Sequence, residues 1–218
     1  VNDPTDVKKV DESILFTGEV IGAQENAQKL VDFNDKYLDE VHKISAEISD
    51  KDKKSVYYAE GPDGLKTNPS NSSHSQLIDL VGGKNVADSL DQGANISMGV
   101  QVSIEQVISW NPDVIITTDP DFYAKVYNDS DWASINAVKN HEVYVSPDSP
   151  FNWFDRPIGA NMILGVPWTA KVIYPDKYSD IDMVSVTKEF YSNFYHYDLS
   201  DDQAKQILID SGIKEKNL

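Results

Sequence analysis

The sequence predicts an α/β fold in which a central, mostly parallel sheet is flanked by helices. Two observations predict it: three apolar runs have the length and composition of buried strands, and stretches of helical periodicity lie between them. The runs are 55–59, 114–118 and 142–145. Because strands that alternate with helices join into a parallel sheet through crossover connections, we expect one layered α/β unit.

The clearest strand is 114–118, which is apolar on both faces, as a central strand of a parallel sheet should be. Ser103 and Ser200 stand where a serine hydroxyl caps the first turn of a helix, and Ser73 is a further candidate cap. Pro167 is expected to kink or split its helix. The helical patterns cover 74–81, 103–110, 122–139, 158–172, 183–195 and 201–211.

The longest helical pattern runs from Gln24 to about Ser49 and contains neither proline nor glycine, whereas Gly18 and Gly22 are expected to interrupt the pattern before it. At a rise of 1.5 Å per residue, such a helix would be roughly 39 Å long, more than one small domain needs, so we expect it to bridge two lobes.

The composition excludes several classes of function. A formal net charge of −17 and a pI of about 4.4 argue against nucleic acid and anionic lipid as partners, because both would repel the chain. The chain has no cysteine, which excludes disulfides, thiol catalysis and cysteine-ligated zinc. The hydrophobic share of 40% is enough for a real core. Apolar runs stay well short of the roughly 20 residues of a membrane helix.

The motifs of common enzymes are missing from the sequence. It has no Gly-x-Ser-x-Gly elbow, no phosphate-binding glycine loop and no His-Glu-x-x-His, and its four histidines lack metal spacing. We therefore expect a protein that is not an enzyme and that has no catalytic residues, no cofactor and no bound metal. An adhesin-like surface domain would instead show a large exposed aromatic patch. A metal-dependent or nucleotide-dependent doubly wound enzyme remains an alternative, and it would require a tight cluster drawn from Glu60, His74, Asp119, Asp121 and Asp155.

Ligands of open α/β sheets bind outside the carboxyl ends of the strands, where the loops 60–73, 119–124 and 146–157 begin. The last loop contains Arg156, the only arginine of the chain, whereas the other 18 basic residues are lysines. A guanidinium group binds carboxylates and oxyanions through paired hydrogen bonds and also stacks on aromatic rings. Two interpretations stay open: Asp155 and Arg156 pin the loop, or Arg156 contacts a ligand together with Trp153.

The other two loops supply further candidates. Glu60, Ser72, Ser73 and His74 surround the start of a predicted helix, where hydroxyl groups and backbone amides would suit an anion. Simple helix capping is the alternative interpretation of these residues. Tyr123 is placed to stack on a flat ligand, with core packing as its alternative.

Seven segments of the sequence together form a characteristic pattern: the long helix at 24–49, Gly82–Ala87, Val102–Val107, Asn111–Ile116, Trp153–Pro157, Leu164–Trp168 and Tyr174–Pro175. In this order and spacing they resemble a known family, the substrate-binding proteins of ABC importers for iron-siderophore, haem and cobalamin. In that family two α/β lobes are joined by one long rigid helix and clamp the ligand between them, and each lobe docks on the permease through a surface glutamate.

The resemblance implies how the chain is divided. We expect the tail of an N-terminal lobe at 1–22, a connecting interlobe helix at 23–50 and a C-terminal ligand-binding lobe at 51–218. Most of the N-terminal lobe is then expected to be missing from this chain. The resemblance also implies that Glu105 is the docking residue of the C-terminal lobe.

The resemblance also implies a ligand and a location. It favours capture of an iron chelate, such as a siderophore, and its delivery to an ABC permease. The alternative is molybdate or tungstate, because a branch of the family is similar in its Trp-Phe-Asp-Arg-Pro loop. We expect an extracytoplasmic monomer at the cell surface or in the periplasm, held at the membrane only through a lipid anchor upstream of this chain.

Overall fold

The computed structural model describes residues 6–90 and 99–218. Its helices are α1 Val10–Ile21, α2 Gln24–Ser45, α3 Gln76–Leu80, α4 Ile104–Trp110, α5 Pro120–Lys125, α6 Asn136–Lys139, α7 Asn161–Ile173, α8 Met183–Phe194 and α9 Asp201–Asp210. Its strands are β1 Ser55–Ala59, β2 Lys66–Thr67, β3 Lys84–Asn85, β4 Val100–Gln101, β5 Val114–Thr117 and β6 Val143–Val145. The α/β fold class is confirmed.

The central sheet is parallel and has the strand order β3-β1-β5-β6. Ala59 of β1 pairs with Thr117 of β5, and Thr117 also pairs with Val145 of β6. The three strands therefore end at the same edge, and the loops that follow them meet there. β5 is buried along its whole length, as its apolar sequence predicted.

Neighbouring residues of β1 point to opposite faces of the sheet and build two cores. Tyr58 belongs to the larger core, which includes Phe154 and Trp168, whereas Tyr57 packs with Phe122 in the smaller one. All residues of α7 are buried, so this helix runs through the middle of the larger core. That position explains why Pro167 lies inside a continuous α7 rather than splitting it, because tertiary packing overrides the local preference.

The first two helices form an antiparallel pair. Asn34 of α2 donates a hydrogen bond to Asp11 Oδ1 of α1 at 2.9 Å, and a Cβ added to Gly18 would lie 2.4 Å from the Cβ of Ala27. The expectation that Gly18 interrupts its helix is wrong, because the missing side chain lets α1 pack directly on α2. Gly22 does end α1, in a left-handed conformation with φ of 73°.

The long helix is shorter than predicted. α2 ends at Ser45 and spans 22 residues, so its length is about 33 Å rather than roughly 39 Å. It packs against the lobe through Phe33, whose ring centroid lies 5.4 Å from that of Phe190 in α8. A role as a bridge between two lobes stays a prediction.

Two further helical predictions are corrected in detail. The predicted helix at 122–139 is divided into α5 and α6, because the Asp129 side chain accepts a hydrogen bond from the backbone N–H of Asp131 at 3.0 Å and stabilises a turn between them. Ser73 caps no helix, since α3 begins only after Ser75. The caps at Ser103 and Ser200 are confirmed by hydrogen bonds from the backbone N–H groups three residues later.

Candidate functional site

The loop 146–157 is fixed by one asparagine. Asn152 Oδ1 accepts hydrogen bonds from the backbone N–H groups of Phe154 at 2.9 Å and Asp155 at 3.0 Å. The backbone carbonyl of Asn152 also accepts a bond from the side chain of Asn161, at the start of α7. These bonds hold the turn that carries the next residues, Asp155 and Arg156, to the carboxyl ends of the strands.

Asp155 is a fully buried carboxylate with three side-chain partners. Tyr58 of β1 donates to its Oδ2 at 2.8 Å, and Arg156 Nε lies 3.2 Å from the same oxygen. The other oxygen contacts Nδ1 of His74, which precedes α3. Because a buried charge is tolerated only when it is paired and hydrogen-bonded, these contacts allow Asp155 to join the strand, the loop and the helix start.

Arg156 lies between two carboxylates and still faces the solvent. Its NH2 group donates to Oε1 of Glu60 at 3.0 Å, on the side opposite Asp155. Its NH1 group lies 3.4 Å from Nε2 of His74. About half of the side chain, 48%, remains exposed. The loop-pinning interpretation is therefore correct, and the exposed half leaves room for ligand contact, which stays a prediction.

Glu60 directly follows β1, and polar groups of neighbouring residues cover most of its side chain. Its side chain is only 11% exposed, and its Oε2 accepts a hydrogen bond from the amide of Asn68. Ser72 in turn donates to Oδ1 of Asn68 at 3.1 Å. Burial raises the pKa of the Glu60 carboxyl, an effect that the neighbouring Arg156 opposes.

Gly99 allows the backbone before β4 to pass close to the Glu60 carboxylate. It has a left-handed backbone with φ of 73°, and a Cβ added there would lie 3.0 Å from Oε2 of Glu60. The residue directly precedes β4, which pairs antiparallel with β2. A glycine at this position therefore suits both the backbone conformation and the approach to the carboxylate.

An open depression of about 340 Å³ lies on the exposed side of Arg156. Thr118 and Asp148 line it, and so does Phe151, whose side chain is 51% exposed. Sequence reasoning missed Thr118 and Phe151. The signal for Phe151 was an aromatic residue between Pro150 and Asn152 in a strand-end loop.

Trp153, which the sequence predicts to contact a ligand together with Arg156, has a fully buried side chain. Its ring packs at 6.4 Å from that of Tyr191, and a Cβ added to Gly165 of α7 would lie 1.9 Å from its carbonyl oxygen. Trp153 therefore lies where the loop packs against α7. This burial is a matter of tertiary packing that the sequence around Trp153 does not reveal.

The other candidate residues do not meet at Arg156. Tyr123 is partly buried beside Tyr127 and lines a separate depression of about 290 Å³, which shares Thr118 and Asp148 with the one at Arg156. Ser73 lies in a third depression, and its carbonyl accepts a hydrogen bond from the side chain of Gln76. Neither residue therefore has a described contact with the arginine.

The cluster expected of a metal-dependent enzyme does not form. Asp119 caps α5 by accepting hydrogen bonds from the N–H groups of Asp121 and Phe122, both at 3.0 Å. Over 6–90 and 99–218, no group of three His, Asp or Glu side chains could hold a metal ion. Glu60, His74 and Asp155 do converge, but they converge on Arg156.

Glu105 lies apart from this cluster, in the first turn of α4. Its side chain is exposed, and hydrogen bonds from Ser103 and from its own backbone lower the pKa of its carboxyl. Ile108, one turn further along the same helix, is 40% exposed.

Among the described helices, none is both long and apolar enough to cross a membrane.

The half-exposed Arg156 therefore lies at the edge of the parallel sheet where open α/β proteins bind their ligands. The family model of periplasmic binding proteins matches residues 1–150, and the chain belongs to this family. The molybdate-binding protein MolA of Haemophilus influenzae is 34% identical over 70% of this chain and 42% of its own length. An uncharacterised ABC transporter substrate-binding lipoprotein of Bacillus subtilis, YvrC, is 32% identical over 83% of this chain and 54% of its own length.

Solved structures agree with this assignment. An ABC transporter solute-binding protein of Sulfurospirillum deleyianum has a TM-score of 0.86 and 37% identity, over 93% of this chain and 62% of its own. MolA of Haemophilus influenzae bound to molybdate has a TM-score of 0.73 and 26% identity, over 89% and 58% of the two chains. CeuE of Helicobacter pylori with nickel bound, at 19% identity and a TM-score of 0.68, shares the fold.

The chain spans about half the length of the curated relatives it matches. The resemblance to substrate-binding proteins of ABC importers is confirmed by the family match and by these structures. Since the family and its relatives are binding proteins, the expectation that the chain is not an enzyme is also confirmed.

Proposed function

We propose that this chain is the C-terminal lobe of an extracytoplasmic solute-binding protein that captures an anionic ligand at Arg156 and delivers it to an ABC permease. The observation that carries the proposal is the half-exposed arginine beside an open depression at the carboxyl ends of the strands. In the family that the sequence resembles, a second lobe closes over such a face. The complete binding clamp then requires both lobes.

The ligand that we place first is a small tetrahedral oxyanion such as molybdate. A guanidinium group offers planar, paired donors to an oxyanion, and Thr118 adds a hydroxyl group at the same depression. The burial of Trp153 removes the large flat surface that a bulky chelate would use. A relative with 34% identity is named for molybdate binding, which supports the same choice.

An anionic iron chelate, which the sequence resemblance favoured, is the second candidate. The observation in its favour is Phe151, an exposed aromatic ring at the tip of the loop that carries Arg156. A chelate with an organic shell would bury this ring, whereas a bare oxyanion would leave it exposed. The effect of Phe151→Ala on affinity therefore separates the two ligands.

The partners follow from the same assignment. Glu105 is exposed at the start of α4 and is available to pair with an arginine of the permease, as in the family that the sequence resembles. We further propose that the full-length protein works as a monomer and is held at the membrane by a lipid anchor upstream of this lobe.

The test is a calorimetric titration of the full-length protein with sodium molybdate and, separately, with an anionic ferric catecholate. We expect saturable binding of one of the two. Arg156→Gln should weaken that binding at least about tenfold. The matched control Lys188→Gln, at an exposed ion pair with Asp201, should not change it. Undiminished binding to Arg156→Gln would show that the ligand site lies elsewhere, and no binding of either probe would reject the proposal.

A further inference from the structure

Arg156 is already neutralised before any ligand arrives. Its NH2 group contacts Glu60 at 3.0 Å and its Nε contacts Asp155 at 3.2 Å, so one positive charge meets two carboxylates. Asp148 lines the same depression and adds a further acidic side chain. An anion that approaches the arginine must therefore come close to several carboxylates, and like charges repel strongly where water is partly excluded.

Asp155 does not depend on the NH2 group of Arg156. It is fully buried, it receives a hydrogen bond from Tyr58 at 2.8 Å, and it contacts His74 and the Nε of Arg156. All three contacts can remain when a ligand takes over the NH2 group. Asp155 therefore continues to orient Arg156.

The other carboxylate, Glu60, has fewer side-chain partners than Asp155. Glu60 has the Arg156 NH2 group on Oε1 and the amide of Asn68 on Oε2. If a ligand takes over the NH2 group, Oε1 of a buried glutamate loses its cationic partner. A proton on Oε1 would then remove the negative charge and supply an O–H group that donates to the ligand, while Asn68 remains bound to Oε2.

Both ring nitrogens of His74 contact groups other than Glu60. Its Nδ1 faces Asp155, and its Nε2 faces the NH1 group of Arg156 at 3.4 Å. The described titratable and charged groups that face Glu60 are Tyr58, His74, Asp155 and Arg156, and of these Arg156 is the one that hydrogen-bonds to its carboxylate. The loss of that one bond therefore falls on Glu60.

We propose that Glu60 binds one proton when an anionic ligand binds Arg156, so that this glutamate couples ligand affinity to pH. In this step the hydrogen bond from the Arg156 NH2 group to Glu60 Oε1 is replaced by one to a ligand oxygen, and a proton from solvent adds to Oε1. The inference rests on the proposed function of Arg156. Its consequence is that affinity for the anion rises as pH falls, by at most tenfold per pH unit for one proton.

The experiment measures proton uptake directly. Full-length protein is titrated with sodium molybdate, or with the anionic ferric catecholate if that is the probe which binds, between about pH 6 and about pH 8 in buffers of different ionisation enthalpy. We expect the wild type to take up close to one proton per ligand. Glu60→Gln mimics the protonated side chain, so it should take up none, and it should bind more tightly than the wild type at the upper end of the range.

Two controls identify the group. Glu142→Gln removes a carboxylate that pairs with Lys214, away from Arg156, and should behave like the wild type. His74→Gln should retain the proton uptake. If Glu60→Gln does not fold, the carbon-13 resonance of the Glu60 carboxyl in the wild type gives the same information, since added ligand should raise the pKa of that carboxyl.

The outcomes separate this inference from the proposed function. Binding without proton uptake, or uptake that disappears in His74→Gln and persists in Glu60→Gln, would overturn the role of Glu60 and leave Arg156 as the ligand contact. If neither probe binds the wild type, the proposed function fails and the role of Glu60 fails with it.

Discussion

Arg156 and Glu60 are 96 residues apart in the chain, and yet the NH2 group of the arginine lies 3.0 Å from Oε1 of the glutamate. The pair joins the loop after β6 to the end of β1 across the edge of the sheet. Because Asp155 holds the other side of the guanidinium group, the arginine has a defined orientation before a ligand is present. An orientation fixed in advance lowers the cost of binding.

The first prediction concerns Arg156 itself. Arg156→Gln should weaken anion binding at least about tenfold, because a hydrogen bond to a charged group contributes about 1.5–3 kcal/mol and each 1.4 kcal/mol is about tenfold. Arg156→Lys keeps the charge but loses the planar pair of donors, so an intermediate affinity is expected. Calorimetry of the full-length variants checks both, and equal affinities of Gln and Lys variants would contradict a role for the charge.

The second prediction concerns Tyr58 of β1, which hydrogen-bonds to the buried Asp155. Tyr58→Phe removes the hydroxyl donor from the buried carboxylate of Asp155 and should lower the free energy of unfolding by about 1–3 kcal/mol. The matched control is Tyr197→Phe, because the Tyr197 side chain is 53% exposed and its change should be within about 0.5 kcal/mol. Urea denaturation at neutral pH measures both variants, and equal small effects would mean that Asp155 does not depend on this bond.

The third prediction is a dependence of stability on pH. Burial raises the pKa of Glu60 in the folded chain, so the folded state holds this proton more tightly than the unfolded state. The resulting stability is fully present below the unfolded pKa and is lost as pH rises through the folded pKa. Glu60→Gln, which cannot ionise, should therefore gain stability relative to the wild type as pH rises from about 4.5.

Glu105 offers a control of opposite sign. Its carboxyl pKa is lowered by the Ser103 hydrogen bond, so its contribution is present above the unfolded pKa and is lost as pH falls. Glu105→Gln should therefore lose stability relative to the wild type as pH rises toward about 4.5, with no further change above that pH. Thermal unfolding at a series of pH values gives both trends, and parallel trends for the two variants would contradict the assignment for Glu60.

Much of the fold could be predicted because its signals are local. The buried strands at 55–59 and 114–117 are short apolar runs, and a serine three residues before a glutamine predicts the start of α9 without tertiary information. The division of 122–139 was missed because the helical periodicity of this segment continues through the turn at Asp129. The close packing at Gly18 was missed because it depends on which helix lies opposite.

The candidate site could be predicted only in part. The single arginine drew attention to Arg156 because its residue type is rare in this chain. Tyr58 gave no such signal, since an aromatic residue in an apolar strand is ordinary core. Its hydroxyl meets Asp155, 97 positions further along the chain, only in the folded structure. The burial of Trp153 could not be predicted for the converse reason: a tryptophan in a polar loop is typical of a ligand platform, and its packing depends on Gly165 in α7.

The fourth prediction tests that glycine. Gly165→Ala would place a Cβ 1.9 Å from the carbonyl oxygen of Trp153, so either α7 or the loop must move. Because the neighbour is backbone rather than a flexible side chain, we expect a loss of about 1–3 kcal/mol in the free energy of unfolding. Displacement of the loop should also weaken anion binding, although Gly165 lies in the core and not in the depression.

Gly159→Ala is the control, since its Cβ would meet only the Asn161 side chain at 3.3 Å. If Gly165→Ala loses stability but binds the anion with unchanged affinity, then the position of Arg156 does not depend on the contact between Trp153 and α7.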